Sequence, residues 1–274
     1  MHSVQDENSS TELMIKDKGD ELYKKSKILD LGNTITFWSI VALSAARVAV
    51  PDFLPDWLST LQVISVILNI TFWIANDYFI LYKAERERRK LPIQYGFGVQ
   101  LTDYTKDGYF DNQFPPSEQK YFVDIYESNY YSNDTSGKMI PYAILKTILA
   151  ICVLLLTIWK AHDPALVLVP AEAVFSSSVL MKTIAVCEYR KHMSELIDIP
   201  YRIFITEGKI GTAQRAMLFD YAVEYEAVKA HYKVLLDNNI YKKNKKRLEK
   251  EWKELEDRIN HKIEMKDIQD SSTH

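Results

Sequence analysis

Two groups of side chains in this sequence could do chemistry. The first is a basic run, Arg86, Arg88, Arg89 and Lys90, followed closely by an aromatic-rich stretch that contains Tyr95, Phe97, Phe110, Asp111 and Phe114. Guanidinium and ammonium groups pair with phosphate, and aromatic rings stack on nucleobases. Side by side they suit an anionic, base-bearing ligand. The same run also fits the cytoplasmic flank of a membrane helix, and the aromatics equally suit a small core that docks the stretch onto neighbouring helices. The second group lies inside apolar runs: Arg47, Asp77 and Glu172 among the charged residues, Gln62, Asn69, Asn76 and Ser176 among the polar ones. Charges and amides in such runs either bond neighbouring helices or line an aqueous path.

Enzyme chemistry is not expected. The sequence contains no H-E-x-x-H, no G-x-S-x-G and no Walker lysine. Gly96-Phe-Gly98 lacks the spacing of a phosphate loop. The six histidines are scattered without ligand spacing, and Cys152 and Cys187 fall in or at the ends of apolar runs. No metal site, disulfide framework or cofactor is expected.

The elements that must carry these residues follow from the distribution of charge. Over all 274 residues the chain reads as soluble, with 26% charged residues and a net charge of -3. The mean hydropathy is -0.19. The average hides clustering. Thr34 to Leu54, Trp57 to Leu81, Pro141 to Trp159 and Ala165 to Val186 carry one or two charges each before their flanks. Each run is roughly 19 to 25 residues, enough to cross about 30 Å of hydrocarbon as a helix. An all-α membrane protein is expected, with four transmembrane helices in two hairpins. The expected organisation is a cytoplasmic N-terminal segment 1–33, a first hairpin 34–83, an aromatic-rich insert 84–140, a second hairpin 141–187 and a helical tail 188–274. A signal peptide is not expected, because the first 33 residues are polar.

Lysines and arginines flank the ends at residues 16–27, 83–90 and 182–191, whereas the loop "VPDFLPD" has none and "KAHDP" has only Lys160. The asymmetry puts both termini and the insert on the cytoplasmic side. On a helical wheel Gln62, Ser65, Asn69 and Asn76 fall within about 60° of one another. Glu172, Ser176 and Thr183 share a face of the fourth run, while the third run is aliphatic apart from Lys146. The second and fourth helices are therefore expected to face the protein interior or an aqueous path, and the third to face lipid. Arg47 and Glu172 lie at matched depth, about 10 Å below the outer helix ends. They are expected either to pair as a latch or to leave Arg47 reaching outward to Asp52 or Asp56.

The tail reads as two helices. Met217, Tyr221, Tyr225, Val228 and Tyr232 share one face, and Asn238-Asn239 is read as a C-cap. Leu248, Trp252, Leu255 and Ile259 share a face of the second. "PPSEQKYFVDIYES" reads as a short helix within the insert.

The layout resembles the SMODS-associated four-transmembrane effector family of bacterial cyclic-oligonucleotide anti-phage signalling. "ELYKKSKILD" is similar to that family's N-terminal segment at Tyr23, Ser26 and Lys27. "VQLTDYTKDGYFDNQFPPSE" is similar to its insert at Phe110, Asp111, Phe114 and Pro115, although the tryptophan usual after that turn is absent. The resemblance implies an effector of the bacterial inner membrane. A cytosolic cyclic nucleotide would bind the cytoplasmic part, and subunits would assemble and make the membrane leaky. The partners it implies are the lipid bilayer, a cyclic nucleotide and further copies of the chain, not a nucleic-acid polymer. The other reading is a non-enzymatic membrane scaffold whose cytoplasmic helices bind a partner protein.

Overall fold

The computed structural model describes residues 18–49, 57–103, 110, 112, 114–160 and 179–272; the side chains of 47–49 and 266–272 are outside the description. Every regular element among them is helical: α1 (Lys18–Ala49), α2 (Trp57–Ile74), a π-helical turn (Ala75–Ile80), α3 (Leu81–Phe97), α4 (Glu118–Lys160), α5 (Leu180–Tyr201), a second π-helical turn (Arg202–Glu207), α6 (Thr212–Tyr232) and α7 (Asn238–Ser272). Three helices are long and apolar enough to cross a membrane: α1, the continuous helix Trp57–Phe97 and α4. Most of the expected fourth run lies outside the described residues, and α5 begins with its last part.

The helices outrun any bilayer. Trp57–Phe97 has 41 residues and α4 has 43. At 1.5 Å per residue each is about 60 Å long, twice the hydrocarbon thickness. The backbone does not break at residues 83 and 140, where the sequence suggests a change from membrane to insert. What reads as a short helix over "PPSEQKYFVDIYES" is the start of α4, which runs on without a break. Ser117 caps it, its Oγ accepting from Lys120 N at 3.2 Å.

Turn formers at 129–137 do not interrupt α4 because packing holds them. Asn129 and Ser136 are fully buried and Thr135 nearly so. Asn133 accepts from Arg190 of α5. Lys138 Nζ donates to Asp134 at 2.8 Å. Tertiary contacts outweigh the few tenths of a kcal/mol per residue that such side chains cost in a helix. Gly96 makes the α3–α4 crossing: a Cβ there would stand 2.6 Å from Tyr121 Cβ and 2.7 Å from its Cα. Only glycine lets the two backbones approach so closely.

The polar stripe of α2 faces inward. Gln62 Nε2 donates to Ser44 Oγ at 2.9 Å. Asn69 Nδ2 donates to Asn33 O at 2.8 Å and to Thr36 Oγ1 at 3.0 Å. Ser26 Oγ donates to Asn76 Oδ1 at 2.7 Å. Each bond ties α2 or its π turn to α1, the interhelical glue expected where hydrocarbon offers no other partner. Asp77 is the exception in direction: it accepts from Trp73 Nε1 on its own helix at 3.0 Å. Lys182 Nζ donates to Asp30 at 2.5 Å, joining α5 to α1. On α4, Ile144, Leu145, Ile148, Leu149, Leu155 and Leu156 are exposed, in keeping with a lipid-facing third run. The Arg47 side chain, Glu172 and Ser176 lie outside the described residues, and so does their pairing.

The main core lies outside the apolar spans. It joins Phe122 and Tyr126 of α4, Tyr189 and Met193 of α5, Tyr221 and Tyr225 of α6, and Trp252 and Ile259 of α7. The expected α7 face is buried in full: Leu248, Trp252, Leu255 and Ile259 are at most 9% exposed. On α6 the buried line starts at Leu218 rather than Met217, which is 36% exposed. Asn238-Asn239 do not cap α6. Lys233, left-handed at φ 49°, does. Asn238 instead opens α7, whose first turn is held by Asp237 Oδ1 accepting from Asn239 N at 2.7 Å.

Candidate functional site

A cavity of about 500 Å³ lies where the helices leave the apolar region, walled by α1, α3, α4, α5, α6, the connector 233–237 and the start of α7. Its cations come from three directions: Lys24 and Lys27 from α1, Arg88 and Lys229 from α3 and α6, Lys245 from α7. Its rings are Tyr23, Phe110, Tyr131, Tyr189, Tyr225 and Tyr241. Carboxylates are equally present: Asp20, Glu85, Glu127, Glu226 and Asp237.

The charges are organised rather than mixed. Tyr23 donates to Glu85 Oε1. Lys229 Nζ stands 3.7 Å from Glu85 Oε2, 3.3 Å from Glu226 Oε1 and 5.0 Å from the Tyr225 ring centroid. Burial works against the Lys229 charge, but Tyr225, Glu85 and Glu226 overcome it and hold the ammonium well above its ordinary pKa. Burial likewise works against the Glu85 carboxylate, and Lys229, Arg88 and the Tyr23 hydroxyl reverse it and lower its pKa. This buried network forms one wall. Arg88 lies over the Tyr23 ring, 5.2 Å from its centroid.

The α1 side differs. Burial lowers the pKa of Lys27; Arg88 and Lys242 lower it further, while Asp237 and Asp20 raise it. Its ammonium is thus partly desolvated, a cost that pairing with an entering anion would offset.

The opposite wall holds Glu127. Its Oε2 has no hydrogen-bond partner, and the residue is 7% exposed. Burial pushes its carboxyl up to about 8, Asp124 and Glu256 add to this, and Lys120 and the Tyr131 hydroxyl pull down. Burial also pushes Asp124 up to about 6 against the Asn112 amide and Lys120. Folding therefore makes Glu127 take up a proton between pH 4.5 and about 8. The stability from that proton is full below 4.5 and is lost as pH rises through 8. Glu127→Gln should match the native protein at pH 5 and exceed it at pH 9 by on the order of 2–4 kcal/mol. Thermal unfolding in detergent across that range is the check; parallel pH profiles would contradict the assignment.

Of the residues singled out for ligand contact, Arg88 and Phe110 line the cavity. The others are elsewhere. Arg89 Nε pairs with Glu226 Oε2 at 2.8 Å, which fastens α3 to α6. Lys90 Nζ pairs with Glu87 at 2.8 Å. Arg86 is exposed and is not among the lining residues. Asp111 lies outside the described residues. The sequence reading missed Lys229, Glu85 and Glu127 as site residues. One signal was available: Lys229 follows Tyr221 and Tyr225 at four-residue steps, a lysine continuing a buried aromatic face. Tyr23 and Lys27, matched above only through the resemblance, do face the cavity.

Among the described residues no group of histidine, cysteine or carboxylate side chains has the arrangement of a metal site. Comparison of the chain with protein-family models, with curated proteins and with solved structures finds no match.

Proposed function

We propose that this chain is a membrane effector that binds a cytosolic cyclic nucleotide and, as an oligomer, makes a bacterial inner membrane leaky. The observation that carries the reading is the cavity and its walls. A ligand seated there touches Tyr23 and Lys27 on α1, Arg88 on α3, Tyr131 on α4 and Tyr189 on α5. Three of these helices continue into the apolar segments long enough to cross a membrane, so binding energy is applied directly to their cytoplasmic extensions. The chemistry suits the ligand class: Lys24, Lys27, Arg88 and Lys245 for phosphate, Phe110, Tyr131 and Tyr241 for base stacking. The motif-level resemblance at Tyr23, Lys27 and Phe110 points the same way.

The reading includes four spans in two hairpins, with both termini and the segment between the hairpins cytoplasmic. The lysine and arginine asymmetry supports that topology. It does not include catalysis.

Purified protein in liposomes loaded with a fluorescent dye, challenged with a panel of cyclic di- and trinucleotides, tests the function. Release should follow addition of one or more of them and be absent before it. Equal release with and without every member of the panel, from protein that is folded and inserted, would overturn the reading.

A further inference from the structure

α7 lies antiparallel against α4, and the pairs between them form a ladder. Tyr130 OH donates to Glu251 Oε2 at 2.9 Å, Arg247 Nη2 donates to Asp134 Oδ1 at 2.7 Å, and Lys138 Nζ donates to Asn244 Oδ1 at 2.7 Å. Just beyond the last rung, Asp237 N stands 3.4 Å from Met139 Sδ. The rungs advance at helical spacing on both helices, so depth along one gives depth along the other.

The ladder ends where the apolar surface of α4 begins. Tyr142 is 61% exposed, and Ile144, Leu145, Ile148 and Leu149 follow it on the surface. Lys146 is exposed one turn further, and its stem reaches back toward the level of Tyr142. From Tyr142 to Lys160 the helix covers about 27 Å, close to one hydrocarbon thickness. A second marker agrees. Tyr78, Phe79 and Tyr82 are exposed just before Lys83 on the neighbouring span, as in an interfacial aromatic belt. Lys233, where the connector to α7 begins, stands 4.9 Å from the Tyr78 ring centroid. α7 therefore starts at the membrane surface and climbs away from it.

Continuing the ladder places Lys242 and Lys243 about 3–5 Å outside Tyr142 and Lys246 about 9 Å outside it. The headgroup layer is about 5–8 Å deep. All three lysines are exposed. At 100° per residue they lie opposite Asn244, which bonds α4, and the buried Leu248. Side chains of a helix lean toward its N-terminus. That end of α7 points at the membrane, so the three ammonium groups lean toward the leaflet. Their neighbours are neutralised: Lys245 pairs with Glu249 at 3.3 Å and Arg247 with Glu251 at 2.7 Å. Lys242, Lys243 and Lys246 have no ion-pair partner among the described residues, and they are not among the residues that line the cavity. Three unpaired cations at phosphate depth, beside a lipid-facing apolar surface, match acidic headgroups in charge and in place.

We infer that Lys242, Lys243 and Lys246 form a docking face for acidic phospholipid headgroups, which seats the start of α7 on the leaflet at this side of the membrane. The inference rests on insertion of the apolar helices and not on nucleotide binding.

Native mass spectrometry of the full chain, in uncharged detergent doped with equal amounts of phosphatidylglycerol and phosphatidylcholine, counts the lipids bound. The native protein should retain phosphatidylglycerol in preference. Each ammonium near an anionic surface contributes about a five-fold preference, so Lys242→Gln/Lys243→Gln/Lys246→Gln should lower the ratio of the two lipids by about ten-fold or more. Arginine at the same three positions should keep it. Lys250→Gln/Lys253→Gln, on the same face but about 15–20 Å outside Tyr142, should leave the ratio within about two-fold. An unchanged ratio in the triple glutamine variant, or an equal loss in the Lys250/Lys253 variant, would overturn the site. Displacement of phosphatidylglycerol by an equal concentration of inorganic phosphate would also overturn it, in favour of a soluble anion. Titration of the same preparations with a cyclic dinucleotide separates the two proposals. Lipid preference without nucleotide binding keeps the docking face and counts against the effector reading; nucleotide binding without lipid preference does the reverse.

Discussion

Lys229→Met should destabilise the protein by on the order of 3–5 kcal/mol, the cost of removing one partner from a buried ionic group. The side chain is 14% accessible and stands between Glu85 and Glu226, themselves 19% and 25% accessible. Without the ammonium, Glu85 keeps the Tyr23 hydroxyl and Glu226 keeps Arg89. Neither replacement offsets two carboxylates facing a methionine. Thermal unfolding of the detergent-solubilised variant should shift down by about 6–20 °C, taking about 2–4 °C per kcal/mol for a chain of this size. Adding Glu85→Gln should recover part of the loss, because the two side chains share one network. A shift below about 2 °C in the single variant would mean that the network is not a buried wall of the cavity.

The second large effect is on ligand response. Lys27→Glu combined with Arg88→Glu should abolish nucleotide-triggered dye release, raising the ligand concentration required by 100-fold or more. Two charge-assisted contacts of about 1.5–3 kcal/mol each would be lost and replaced by repulsion. Arg86→Glu, outside the cavity on the same basic run, should leave the response within about three-fold, the change expected of a surface charge that only steers approach. Equal loss in both variants would place the basic run's role at the membrane surface instead.

The contrast between Arg86 and Arg88 marks what a sequence can carry. Four basic residues in five look alike as text. Which of them faces the cavity depends on the rotation of α3 against α1 and α6, fixed by Arg89–Glu226 and by the Gly96–Tyr121 approach. The apolar runs and the periodic faces of α6 and α7 were legible because burial imposes a simple repeat. The continuity of α4 was not. Asn129, Ser132, Asn133, Ser136 and Gly137 favour a turn locally, and only contacts with α5 and α7, such as Arg247–Asp134 at 2.7 Å, hold them helical. The inward direction of Gln62, Asn69 and Asn76 was one of two readings of the same stripe, and their bonds to α1 show them joining neighbouring helices. Glu127 was hidden for a different reason. A glutamate between Tyr126 and Tyr130 reads as a solvated helix position, and its burial is visible only once α7 closes over it.

Calorimetric titration of the detergent-purified protein with cyclic di- and trinucleotides tests the central claim most directly, because it asks only whether the cavity takes the ligand. Saturable binding of at least one of them to the native protein, lost in Lys27→Glu/Arg88→Glu and retained in Arg86→Glu, is the result predicted. Absence of binding across the panel by folded protein, or binding that survives the cavity substitutions unchanged, would contradict it.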